Sequence, residues 1–265
     1  TSFKANPDLY NVTNNPCVFN RPPTLEHVRY LFEQTPFLSF VRTTLLIGGL
    51  VVALDLFFPD LRKRYLSWLA GIGLLAVAGI SLAWIDVESN FAGIVAIDNY
   101  TTYFRVLFMG IAAVVCFASG RYVENRLKHP GEYYGLIILS TVGAIGMAAA
   151  TELMTAYLSL ELLSFSLYIL VGYLRRDALS SEASLKYMLL GAFSSAFLLY
   201  GISIVYGVTQ TTFYDGIAAA LQDRTADTDT AVVVGFMLLI TGVGFKVAAA
   251  PFHMWSPDAY EGAPL

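Results

Sequence analysis

A chain of 265 residues that is 56% hydrophobic and only 14% charged, with a mean hydropathy of +0.60, falls outside the range of soluble domains, in which about a quarter of residues are charged. It reads as an integral membrane protein. Sixteen Lys and Arg against twenty Asp and Glu leave a net charge of −4, which argues against nucleic acid as a partner. Cys17 lies in a polar stretch and Cys116 in a hydrophobic run, so neither a disulfide framework nor a metal site is signalled. No CxxC, HExxH or phosphate-binding loop marks a cofactor site.

In chain order, residues 1–34 read as a polar N-terminal tail, with Pro7, Pro16, Pro22 and Pro23 and no hydrophobic core of a signal peptide. Residues 35–265 read as a transmembrane domain of helices. A span takes about 20 apolar residues. Seven segments reach that length: 37–58, 65–85, 103–120, 133–151, 153–173, 187–208 and 231–250. Only Thr151 and Glu152 turn the chain between the fourth and fifth. Gly143, Gly146 and the alanines 148–150 give span four a small-residue face suited to close helix packing.

The connections alternate in charge. Asp60, Arg62, Lys63 and Arg64 sum to +2; Arg121, Glu124, Arg126, Lys128 and Glu132 to +1; Arg175, Arg176, Asp177, Glu182 and Lys186 to +1. The connections between them are acidic: Asp86, Glu88 and Asp98 sum to −3, as do Asp215, Asp223, Arg224, Asp227 and Asp229. Basic loops mark the cytoplasmic side. The loops near 60–64, 121–132 and 174–186 are therefore expected inside, and the N-terminal tail outside.

Two opposite charges fall where the bilayer should be. Glu161 lies in span five and Lys246 in span seven. An ionised group at the centre of a membrane helix costs roughly 2.5–3.5 kcal/mol on insertion scales, so each needs a partner or a function. Tyr157, Glu161, Ser164 and Tyr168 share one helical face, a polar stripe that must meet other helices or water. Glu161 is either a protonated side chain holding helices together or a titrating proton carrier. Lys246 precedes Pro251 by five residues, and a proline clashes with the carbonyl four residues back, so a break is expected near Val247, with Gly242 and Gly244 loosening the preceding turn. A lysine there either anchors on freed carbonyls or titrates. Lys186, where span six begins, forms an i,i+4 pair with Glu182 in the plainer reading. Gly191, Ser194, Ser195 and Gly201 give span six a small, hydroxylated surface that water or a neighbouring helix can approach. His253, two residues past Pro251, is of a residue type whose ordinary pKa near 6.5 suits a relay, though a lone histidine is usually structural. Met254, Trp255 and Pro257 read as packing, and Asp258 and Glu261 as interfacial caps or part of an outlet.

The segments LELLSFSLYILVGY (160–173), SSEASLKYMLLGAFSSAFLLYGISIVYG (180–207) and GVGFKVAAAPFHMWSPDAYEGAP (242–264) resemble subunit N of respiratory complex I, the counterpart of mitochondrial NADH dehydrogenase subunit 2. The resemblance is specific over 130–265 and weaker over 37–129, and it covers the N-terminal half of that family. It implies an antiporter-like bundle built on inverted five-helix repeats, the second repeat lying beyond this chain. It also implies proton translocation through Glu161, Lys186, Lys246 and His253. The expected setting is the bacterial inner membrane, among other membrane subunits of a complex I-type NADH:quinone oxidoreductase. NADH, FMN, iron–sulfur clusters and quinone are expected on those other subunits, with none bound here. The alternatives are the same subunit in a photosynthetic or hydrogenase-like relative, an Mrp-type cation/proton antiporter subunit, and a membrane scaffold.

Overall fold

The computed structural model describes residues 36–57, 63–83, 85, 89–91, 93–127, 129–174, 176–222 and 229–264; the predicted tail over 1–34 lies outside them. Residues 1–42 and 43–265 form separate compact units. Of the first, only the backbone opening helix α1 is described. The second carries the rest of the fold.

Helices among the described residues are α1 (Pro36–Phe57), α2 (Lys63–Leu82), α3 (Asn99–Arg126), α4 (Pro130–Ala149), α5 (Leu153–Val171), α6 (Ala178–Thr209), α7 (Tyr214–Gln222), α8 (Asp229–Lys246) and α9 (Trp255–Gly262). Each of the seven expected spans coincides with one of α1–α6 or α8, and the all-α membrane class holds. Helices α2 to α6 are long and apolar enough to cross a membrane; Thr44–Asp55 and Thr230–Lys246 are shorter apolar stretches. Helix α2 packs on α3, α4 on α5, and both α8 and α9 on α6.

Two spans are longer than expected. Helix α3 starts at Asn99 because the Asp98 carboxylate caps it, accepting the Thr101 amide at 2.7 Å, and it runs to Arg126 through polar residues that still favour helix. Helix α6 begins at Ala178, capped by Asp177 on the Leu179 amide at 3.0 Å. Its 32 residues extend about 48 Å at 1.5 Å per residue, well beyond a hydrocarbon core of about 30 Å. Lys186 is thus two turns inside a helix, not at its start.

One connection is not irregular loop. Strands β1 (Ser89–Phe91) and β2 (Val95–Ile97) pair antiparallel, with Phe91 opposite Val95. Gly93, at φ +75°, supplies the left-handed turn residue. The hairpin docks on the α4–α5 turn: Val95 bridges Ala150, and Thr151 donates its amide to Ile94 O (3.1 Å) and its hydroxyl to Gly93 O. The same turn is tied to the α6–α7 connection. Glu152 bridges Phe213, and its carboxylate accepts the Thr155 hydroxyl (2.7 Å) and the Thr212 hydroxyl (2.5 Å). Three acidic-end connections are thereby knotted into one polar cluster.

At the opposite end, Asp55 accepts the Gly131 amide at 2.9 Å, and Ser67 in the second turn of α2 donates to Cys116 O at 2.7 Å in the second half of α3. Among the described residues, the helix alternation therefore puts Arg121, Arg126 and Arg176 at one end and Asp98 and Asp215 at the other. In a background without Cys17 and Cys116, Lys63→Cys, Arg126→Cys and Arg176→Cys are expected to be protected from an impermeant thiol reagent added outside, while Glu88→Cys and Asp223→Cys react. Labelling of both sets from one side would refute the alternation.

Candidate functional site

Helix α5 carries Glu161 as the ninth of its 19 residues, at mid-span. The face predicted from spacing is aimed at the end of α8. The Lys246 ammonium donates to Ser164 Oγ at 2.8 Å and Tyr168 Oη at 3.2 Å, and lies 3.4 Å from Glu161 Oε1. The charged side chains are 10% and 14% exposed. Ser195 of α6 donates to the same Glu161 Oε1 at 2.6 Å. Its neighbour Ser194 donates to Gly242 O at 3.0 Å. Two adjacent hydroxyls thus hold α6 to two different helices.

Tyr157, the fourth member of the expected stripe, packs instead against the apolar cluster of Leu198, Ile202, Val205, Ile217 and Leu239. Arg105, completely buried in α3, is a charged residue the spacing does not single out, because a charge two residues into an expected span reads as interfacial.

The helix ends next to Val247, the expected position, in a left-handed cap. Helix α8 ends at Lys246. Ala248 sits at φ +51°, its amide donates to Phe245 O at 3.0 Å, and the Ala249 amide donates to Gly244 O at 2.8 Å. These are the two bonds of a Schellman cap, which ends a helix with a left-handed residue. Alanine in that conformation costs roughly 1–2 kcal/mol relative to its right-handed form. The helix thus ends at Lys246, five residues before Pro251. Gly242 is a close-packing position: a Cβ there would lie 2.7 Å from Leu198 Cβ and 3.1 Å from Ser194 O, so glycine lets α8 approach α6. A Cβ on Gly244 would lie 3.2 Å from the Phe252 ring, again a packing position.

Geometry and electrostatics set what this cluster can do. At 3.4 Å the ion pair is looser than a charge-assisted hydrogen bond, about 2.7–2.9 Å, because Ser164 and Tyr168 share the ammonium. Its Coulomb attraction is about 5 kcal/mol at an effective dielectric of 20. Desolvating two ions offsets a term of that size, so the pair is a poor device for stability. Hydroxyls both donate and accept, so the three that bracket the pair can hand a proton along it. A Cβ at Gly191 would collide with Tyr168 Oη, so only glycine leaves that hydroxyl in place.

Lys186 and His253 are not brought into the cluster. Lys186 pairs with Glu182 at 2.8 Å, as spacing predicts, and with Asp258 at 2.9 Å; its side chain is 45% exposed. His253 is exposed in the segment between α8 and α9 and is not among the groups touching Lys246.

Comparison with known proteins agrees with this architecture. A family model described as NADH:quinone oxidoreductase/Mrp antiporter, TM, matches residues 150–265. NADH-quinone oxidoreductase subunit N of Trichlorobacter lovleyi is 42% identical over 219 residues, 82% of this chain and 45% of the relative. Subunit N 1 of Koribacter versatilis is 43% identical over 237 residues, covering 83% and 46%. Among solved structures, respiratory complex I from Thermus thermophilus matches at a TM-score of 0.64 and 29% identity, over 83% of this chain and 47% of that one. The archaeal membrane-bound sulfane sulfur reductase matches at 0.69 and 25%, over 86% and 48%. The Mrp complex from Dietzia shares the fold alone, at 0.69 and 19% identity, over 86% and 25%. The chain spans about half the length of the curated relatives it matches, and over that span it is a relative of NADH-quinone oxidoreductase subunit N, with the antiporter-like membrane fold.

Proposed function

We propose that this chain belongs to the proton-translocating, non-redox membrane subunit of a complex I-type NADH:quinone oxidoreductase. In this reading Glu161 and Lys246 are its titrating pair. The carrying observation is the buried pair itself, loosely held, bracketed by Ser164, Tyr168 and Ser195, and placed where α8 ends at mid-depth of α5. A proton arriving at Glu161 removes the charge that favours the ammonium, so Lys246 releases its own; charging Glu161 again restores it. His253, beyond the break, is the group through which the cluster exchanges protons on that side. Lys186 acts from outside the cluster, through α9. Electron transfer, with its nicotinamide, flavin, iron–sulfur and quinone chemistry, belongs to other subunits, and neighbouring membrane subunits are the partners. The identities of 42% and 43% to subunit N favour this over a stand-alone Mrp-type antiporter, which the shared family description and the fold support.

The test is Glu161→Gln in the assembled parent complex. The amide keeps shape and hydrogen bonding but cannot titrate. Proton translocation is expected to fall by at least about tenfold, the lower range of acid–base effects, with assembly intact. Unchanged translocation per quinone reduced, in a fully assembled variant, would refute the role.

A further inference from the structure

Taking Lys246 as the titrating lysine just proposed, we infer that α9 is a latch that positions it, and that Lys186 is part of the latch, not of the proton path. Helix α9 lies antiparallel on the first half of α6. Trp255, Asp258, Ala259 and Gly262 share one face at helical spacing, as do Leu179, Ala183, Lys186 and Tyr187 of α6. A Cβ on Gly262 would collide with Ala183 Cβ and sit 2.8 Å from Leu179 O, so the two backbones touch at that end. At the other end the Lys186–Asp258 ion pair closes the contact at 2.9 Å.

From this seat α9 reaches Lys246 by two routes. The buried Trp255 indole N–H donates to Phe245 O at 2.9 Å, holding the last turn of α8 one residue before the lysine. The same ring stacks on Tyr187, 4.4 Å between centroids and 9° between planes, and Tyr187 meets Tyr168 edge-on at 4.5 Å. Tyr168 in turn holds the Lys246 ammonium. Adjacent residues of α6 therefore act in series, Lys186 fastening α9 and Tyr187 passing its position to the cluster. Two carboxylates are what Lys186 touches, and a guanidinium would serve both as well as an ammonium does.

The experiment uses the assembled complex without Cys17 and Cys116, with Ala259→Cys as reporter, since residue 259 is 4% exposed beneath the latch. Its thiol modification should be slow against a denatured control. Lys186→Asp and Asp258→Lys, which each turn attraction into repulsion at a half-exposed pair, are expected to speed modification about fivefold, and the double exchange to return it to within about twofold. Lys186→Arg should pump protons like wild type, whereas a relay lysine would fail because arginine holds its proton. Fast modification in the unexchanged background, indifference to the single reversals, no rescue by the exchange, or loss of pumping in Lys186→Arg would each overturn the latch. Modification is read without any proton movement, so failure of the Glu161 reading leaves a different signature.

Discussion

Lys246→Arg is expected to abolish proton translocation in the assembled complex as fully as Lys246→Met, by at least about tenfold for each. The two substitutions fail for opposite reasons. Methionine removes the charge and leaves Glu161 buried beside the Ser195 hydroxyl; stranding one member of a buried pair costs about 3–5 kcal/mol unless the carboxyl takes up a proton and falls silent. Arginine keeps the charge and can reach Ser164, Tyr168 and Glu161, so the fold should survive. What it cannot do is let go of its proton at any relevant pH. A purely structural ammonium would accept arginine with little loss. Proton translocation by assembled Lys246→Arg therefore decides between titration and anchoring, and wild-type pumping there returns Lys246 to the role of a helix-end anchor.

Gly143→Val should be the most disruptive of the glycine changes. A Cβ at Gly143 would stand 2.6 Å from Leu163 N, 2.8 Å from Ser159 O and 3.0 Å from Leu163 Cα. All three are backbone atoms of α5, so no side chain can swing aside and the helices must part. Overpacking of this kind costs about 1–3 kcal/mol, which lowers the thermal midpoint by roughly 3–10 °C in a chain of this size. Because α5 bears Glu161, the gap to Lys246 should change with it. Gly79→Ala is the control: nothing lies within 4 Å of its Cβ, and alanine favours a helix by roughly 0.5–1 kcal/mol. Equal midpoints for the two variants, measured on the purified protein in detergent, would refute close packing at Gly143.

Much of this site was legible because charge in a membrane is loud. Glu161 and Lys246 stand out by burial alone, and helical spacing names Ser164 and Tyr168 as partners on the same face. The small-residue face of span four was equally plain, since Gly143 and Gly146 have few other uses on an apolar helix. The partner of Ser195 was not legible: a hydroxyl on a small-residue surface says that something approaches, not what. Nor was the form of the helix end, because an alanine in a left-handed cap looks like any alanine; Pro251 marked the region but not the cap. The hairpin was hidden because strands of three residues carry too little alternation to read. Trp255 and Asp258 looked like packing and capping, and became informative only once the fold brought them to Phe245 and Lys186.

The knot at the acidic end gives α5 a mechanical asymmetry. Its first turn is pinned through Glu152, Thr155 and Thr212 and through backbone bonds on both sides, so the position of α5 along its own axis is fixed at that end. Glu161 is nine residues along, an arm of about 13 Å. A tilt of about 5° about that pivot carries its carboxylate about 1 Å, enough to open or close a contact with Lys246 that already stands at 3.4 Å. On the reading proposed above, a change of charge at Glu161 acts on α5 at a fixed distance from that pinned end.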